Sequence, residues 1–180
     1  VYPINKTIKD IEDIDLLSYA PESYSDEGGI LVSRVRKFMG GFKNPKSRNI
    51  NRFLPVDKNL CFMFGYFLAE GSKGKHSVSF ASHIKEAAIR QKVSNYLISL
   101  NLKPFVYYHK KGNGCSLGVS NIVLRNLFIQ FEQSNRKKLP EWCMQIPLEK
   151  QQQIFLGYLV GDGCYTDGSK RSLTISPHIA

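Results

Sequence analysis

The sequence predicts an α+β fold built around an internal duplication, and three observations carry that prediction. Stretches with helical periodicity alternate with stretches of period two. Two motifs repeat each other 92 residues apart: Phe64-Gly65-Tyr66-Phe67-Leu68-Ala69-Glu70-Gly71 and Leu156-Gly157-Tyr158-Leu159-Val160-Gly161-Asp162-Gly163. A second pair of stretches recurs at an offset of 95, Ser77-Val78-Ser79-Phe80 against Ser172-Leu173-Thr174-Ile175, with His83-Ile84 against His178-Ile179. The three extra residues in the second copy are placed in the Tyr165–Lys170 loop.

Residues 1–27 alternate isoleucine with acids (Ile8, Ile11, Ile14, then Leu16 and Leu17) and run into a Pro-Glu-Ser turn, which suits an acidic connector. From Arg34 to Arg52 seven basic residues (Arg34, Arg36, Lys37, Lys43, Lys46, Arg48, Arg52) stand without an acid. Gly40-Gly41 and Pro45 break any long helix there. Such a segment suits an arm along phosphates, and a solvated linker would have the same composition. Pro55 and Asp57 then start the first motif helix, with Asp57 as N-cap. After Gly71 a short polar loop with Lys73 and Lys75 leads to a strand at Ser77–Ser82, Val78 and Phe80 inward, Ser77 and Ser79 outward.

His83–Leu100 is predicted to form an amphipathic helix through Ile84, Ala87, Ala88, Tyr96, Leu97 and Leu100. Pro104–Lys110 and Cys115–Ser120 form a hairpin around Lys111-Gly112-Asn113-Gly114. In its second strand Leu117 and Val119 face one side and Ser116, Gly118 and Ser120 the other. Asn121 caps a helix through Leu124, Leu127, Phe128 and Phe131. Arg136-Lys137-Lys138 and Leu139-Pro140-Glu141-Trp142 bridge to Pro147, a good first residue for the second motif helix. The expected units are 1–52 (acidic connector and basic arm), 53–146 (a first complete repeat) and 147–180 (the opening of a second).

The chain has 180 residues, of which 42% are hydrophobic and 12% aromatic, enough for a packed core and against global disorder. Lys and Arg number 25 against 15 Asp and Glu, a net charge of +10. Residues 1–27 hold seven acids and two lysines, so the remainder carries 23 basic and 8 acidic residues, a balance of +15. A surplus of that size favours a polyanion, nucleic acid first. Cys61, Cys115, Cys143 and Cys164 form no CxxC pair and are expected as reduced thiols of an intracellular protein (cytoplasm, nucleoid or organelle matrix). His76, His83, His109 and His178 lack zinc-ligand spacing. The longest uncharged apolar run, Leu60–Ala69, is too short to cross a bilayer, and no membrane partner is expected.

The motifs carry the chemistry. Residues four apart share a helix face, so Gly65 with Ala69, and Gly157 with Gly161, give each helix a face almost without side chains. Two such helices can pack backbone to backbone. Gly71 and Gly163 are expected to stop them in the left-handed conformation. Each helix also ends in an acid, Glu70 or Asp162, which opposes the helix dipole at a cost of roughly 0.3–1 kcal/mol. Pairing the glycine faces sets the acids side by side. Two hard oxygen donors at a shared site suit Mg²⁺ (or Mn²⁺), which reverses the sign of both costs.

These paired octapeptides resemble the signature helices of the LAGLIDADG homing endonucleases, in which the last acid of each motif binds catalytic metal. The resemblance runs from about Phe53 onward. It implies αββαββα repeats whose sheets form a saddle on double-stranded DNA, here with a second repeat truncated. The strand directly after the motif is very short for that pattern. A complete protein of this kind is a monomer whose two repeats form a pseudo-dimer. The implied activity is site-specific, metal-dependent hydrolysis of phosphodiester bonds in double-stranded DNA. Glu70 and Asp162 are then both catalytic and metal-binding, and Lys73, Lys75, Ser77, Ser79, Lys110, Lys111, Ser116, Lys170, Arg171 and Thr174 contact the duplex. Val1-Tyr2-Pro3-Ile4 resembles the exit from the N-terminal half of an intein splicing domain; a plain acidic connector accounts for the same residues.

In one respect the sequence departs from the family. Members often carry a lysine near the end of the hairpin, and Ser120-Asn121-Ile122 stands there instead, with Lys110, Lys111, Lys73 and Lys75 the nearest cations. The alternatives are a non-cleaving nucleic-acid binder on the same fold, an RNA maturase or DNA-binding regulator, and a structural domain with incidental basic charge. Pure binding would not need both acids.

Overall fold

The computed structural model describes residues 10–33, 49–110, 112–131, 137–166 and 169–172. The chain enters through β1 (Asp13–Asp15) and a 3-10 turn at Leu16–Tyr19, then β2 (Tyr24–Asp26), β3 (Ile30–Ser33), β4 (Ile50–Asn51) and β5 (Phe53–Pro55). β2, β3 and β4 form one antiparallel sheet, and β1 pairs with β5. The acidic segment is therefore folded against the residues that precede the first motif, and the expected boundary at 52 falls between β4, which pairs with β3, and β5, which pairs with β1. Of the basic run, 34–48 lie outside the described residues. Arg52 is committed elsewhere: its guanidinium reaches Asp15 at 2.6 Å and Asp26 at 2.8 Å. These hydrogen bonds hold both carboxyls below their usual range. Asn126 donates to the Tyr19 carbonyl at 2.8 Å and Lys150 reaches Asp10 at 2.7 Å, so this segment is tied to both halves of the chain.

Helix α1 (Lys58–Glu70) begins where Asp57 accepts the Leu60 N–H at 2.7 Å. Every residue from Leu60 to Leu68 is buried, the mark of a helix enclosed on all sides. Strand β6 (Gly71–Lys73) follows directly. The left-handed stop expected at Gly71 is corrected here, since its φ of −75° and ψ of 147° are extended. Glycine is needed for space instead, because a Cβ there would overlap the Phe67 ring.

Strand β7 (Val78–His83) buries Val78 and Phe80. Helix α2 (Ala87–Ser99) starts four residues later than predicted, because His83 still belongs to β7 and donates its N–H to the Glu86 carboxylate at 2.6 Å. Its buried face is Arg90, Val93 and Leu97, leading to Leu100; Ile84, Ala87 and Ala88 are exposed. Arg90 is buried because it hydrogen-bonds the carbonyls of His83 and Ile84. The hairpin is β8 (Pro104–Tyr108) and β9 (Gly114–Val119), turning through Gly112 at φ +83°. Helix α3 (Ile122–Phe128) opens where Asn121 accepts the Leu124 N–H at 2.9 Å.

From α1 to α3 the order is α-β-β-α-β-β-α, the order the family resemblance implies. The sheet runs β6-β7-β9-β8, all neighbours antiparallel. Its inner face, with Phe80, Leu117 and Val119, meets α1 and α3 in an aromatic core. Phe64 lies 4.6 Å from Phe131, and Phe67 lies 4.7 Å from Phe128.

Helix α4 (Leu148–Asp162) carries the second motif and continues into the hairpin β10 (Gly163–Thr166) and β11 (Ser169–Ser172). The strand predicted at Ser172–Ile175 meets the described residues only at Ser172. On the side of α4 away from α1, Leu148, Phe155 and Leu156 are exposed. Their counterparts 92 residues earlier, Val56, Met63 and Phe64, are 2%, 1% and 0% exposed in the first-repeat core. Among the described residues no helix is long and apolar enough to cross a membrane. Cys61, Cys115 and Cys143 are free, buried thiols.

Candidate functional site

Helices α1 and α4 touch through their glycines. A Cβ at Gly65 would overlap the Ile154 carbonyl and sit 2.8 Å from the Tyr158 nitrogen. A Cβ at Gly157 would overlap the Phe62 carbonyl and sit 2.8 Å from the Tyr66 nitrogen. Phe62 corresponds to Ile154, and Tyr66 to Tyr158, at the offset of the repeat. The contact is thus the same patch used twice, the isologous interface that two-fold symmetry requires. Gly161 meets Ala69, its own counterpart, so the local axis passes between these two residues. Glu70 and Asp162 each follow by one residue and flank the axis where the helices end.

Glu70 is half-buried. Burial pushes its carboxyl above the usual range, Glu86 and Asp162 repel its charge, and Lys137 opposes them. Asp162 is exposed, and the Tyr158 hydroxyl donates to it at 3.1 Å. The Gly161 Cα lies against Glu70, so that a Cβ there would come within 3.0 Å of Glu70 Cγ. Gly161→Ala should therefore cost stability, because its Cβ would come within 2.4 Å of the Ala69 Cβ, which cannot rotate aside, but less than Gly157→Ala, whose Cβ overlaps a backbone carbonyl; it should also displace the Glu70 carboxylate. Melting curves of the two variants check the order.

Sequence reasoning missed Lys137. In the sequence it is one cation of a basic bridge, yet its ammonium donates to the Ala69 carbonyl at 2.9 Å and lies 5.9 Å from the centre of the Phe67 ring. Burial lowers its pKa, and the charges of Glu70 and Asp162 partly offset this. A cation thus stands at the seam, reached from the segment before α4 rather than from the hairpin end. The available signal was the run Arg136-Lys137-Lys138 ahead of the second motif, but spacing alone does not say which lysine turns inward.

The expected DNA contacts divide. Ser72, Ser79, Ala81, Ser116 and Gly118 share the sheet's outer face, and Ser72 and Ser79 are hydrogen-bonded at 2.8 Å. Ser77 precedes β7 in the loop beside Gly74. Lys73 pairs with Val78 and so falls on the inner side of β6, at its end. Lys75 and Lys110 are exposed. Lys170 and Arg171 lie in β11, opposite Tyr165 and Cys164. Lys111 and Thr174 lie outside the described residues.

Among the described residues no group of three or more His, Cys, Asp or Glu side chains gathers to hold a metal. The pair Glu70 and Asp162 still suits Mg²⁺ or Mn²⁺: two hard oxygen donors, one destabilised by burial and by its neighbours, fit an ion that retains several waters.

No family model matches the chain. An uncharacterized protein of Methanocaldococcus jannaschii is 27% identical over 170 residues, which is 90% of this chain. The chain spans 19% of that relative's length. Among solved structures, it is similar to a doubly substituted I-DmoI in complex with its target DNA, nicked in the coding strand, in the presence of Mn. Identity there is 16% and the TM-score 0.44, over 61% of this chain and 63% of the other.

Proposed function

We propose that the chain is part of a divalent-metal-dependent DNA endonuclease of the LAGLIDADG homing type. The observation that supports this most is the pseudo-two-fold glycine seam, which delivers one carboxylate from each repeat and Lys137 to the same end of the helix pair. Glu70 and Asp162 would hold Mg²⁺ or Mn²⁺. The metal supplies Lewis acidity at the phosphate and an activated water. Tyr158 orients Asp162, the close seam excludes water from behind the acids, and Lys137 offers positive charge to the phosphate as it gains negative charge. The outer sheet face lies along the duplex. The exposed row on α4 suits a second sheet, which would complete the saddle across the pseudo-two-fold axis.

Nicking of supercoiled plasmid with Mg²⁺, and its loss in EDTA, tests the reading. Salt-sensitive DNA binding with no nicking would select the non-cleaving binder instead. Lys137→Met should slow nicking by about 10²-fold or more, the typical effect of removing one electrostatic stabiliser. Because its pKa is lowered, the charged form is lost as pH rises through a value below that of ordinary lysine, and activity should fall there. Lys137→Arg, which stays charged, should extend activity to higher pH. A pH profile unchanged in both variants would remove Lys137 from the reaction.

A further inference from the structure

The outer face of the β6-β7-β9-β8 sheet is divided by chemistry. From β6 to β9 it is small and hydroxylic, with Ser72, Ser79 and Ser116. Its β8 edge, unpaired among the described residues, is apolar: Phe105, Val106, Tyr107 and Tyr108, four successive residues, are 48%, 42%, 56% and 61% exposed. Scattered exposed apolar residues are ordinary, but four in a row on an unpaired edge are not. Side chains alternate along a strand, and Phe105 and Tyr107 stand opposite Gly118 and Ser116, on the outer face. Both rings are positioned. Phe105 lies across β9 over Gly118, where a Cβ would come within 2.6 Å of its Cζ. Tyr107 stands 5.7 Å from the His109 ring, whose Nε2 is 3.1 Å from the Ser116 hydroxyl.

An apolar edge could pair with the same edge of a second copy. Antiparallel self-pairing of β8, however, would bring Lys103 of each copy to the strand end where the other copy carries Lys110, and like charges close together across strands destabilise. Both lysines are exposed, and with the +15 surplus beyond residue 27 they complement a polyanion. In the major groove the apolar group that a base presents is the C5 methyl of thymine. Phe105 and Tyr107 are two strand positions, about 6.8 Å, apart. That is twice the ~3.4 Å between successive phosphates along a strand's axis. Resting on the reading of this chain as a duplex-DNA enzyme, we infer that Phe105 and Tyr107 set a preference for two thymines two base pairs apart, covering their methyls while Lys103 and Lys110 take flanking phosphates.

The test uses the whole chain and a random duplex library, selected for binding with Ca²⁺ in place of Mg²⁺. Selected duplexes are then remade with uracil for thymine at single positions, which removes only the methyl. Two positions separated by two base pairs should each lose about fourfold in affinity, the effect of exposing one methylene-sized group. The chain with Phe105→Ser and Tyr107→Ser should bind thymine and uracil duplexes alike. Binding that is insensitive to uracil at every position would overturn the thymine assignment and leave the DNA reading standing. Absence of duplex binding would overturn both. Preference for single strands, or an edge-paired dimer lost in Tyr107→Ser, would also overturn the assignment.

Discussion

Alanine at Gly157 or at Gly65 should destabilise the fold by about 3 kcal/mol or more, the upper part of the range for overpacking. Helix propensity argues the other way, since alanine is favoured over glycine by about 1 kcal/mol within a helix. Geometry decides between them. The added Cβ would overlap a backbone carbonyl of the opposite helix, Phe62 for Gly157 and Ile154 for Gly65, and backbone cannot rotate aside as a side chain does. The helices must separate, and since α1 is held by the aromatic core behind it, α4 is the one that has to move off the seam. For a chain of this size, 3 kcal/mol corresponds to a fall of about 6–12 °C in Tm. If the two losses add, the double variant gives up about 6 kcal/mol, as much as the lower end of a typical total stability of about 5–15 kcal/mol. Thermal melts followed by circular dichroism give the answer. A raised Tm in either single variant would mean that the helices do not meet at these residues.

The seam was legible because backbone-to-backbone packing leaves its signature in the sequence itself: small residues four apart, twice. The repeat order was legible for a similar reason, since Val78 and Phe80, and Leu117 and Val119, alternate at the strand period. Errors came where one residue answers to a distant partner. Gly71 was assigned to a conformation, but it is small because the Phe67 ring occupies its side. The start of α2 slipped because His83 stays in a strand whose end depends on Glu86. Lys137 was invisible as a site residue because nothing local distinguishes it from Lys138; only the fold turns it toward Ala69. Arg52 looked like one more cation in a basic run, until Asp15 and Asp26, remote in sequence, came within reach.

Glu70→Gln should abolish cleavage and, in the same protein, raise stability. The two effects together mark an acid placed for chemistry rather than for the fold. Its carboxyl is held above the usual range by burial first, then by Glu86 and Asp162, against the help of Lys137. In the folded state the proton is therefore bound more tightly than in the unfolded chain. Between the unfolded and folded values the native state holds more protons, so stability falls as pH rises through that window and remains reduced at neutral pH. Glutamine, with nearly the same shape and no charge to desolvate, removes that loss. The gain should vanish below the unfolded pKa, where wild-type Glu70 is protonated in both states. Asp162→Asn is expected to differ. Asp162 is exposed, and asparagine can still accept from the Tyr158 hydroxyl, so its stability should change little. Both variants should keep duplex binding within about tenfold, roughly 1.4 kcal/mol, because neither residue lies on the outer face of the sheet. Urea titrations at neutral and acid pH, run beside plasmid nicking with Mg²⁺, separate the outcomes. Wild-type nicking in either variant would end the assignment of the paired acids. A Glu70→Gln protein that is both inactive and less stable at neutral pH would show that the acid supports the fold instead.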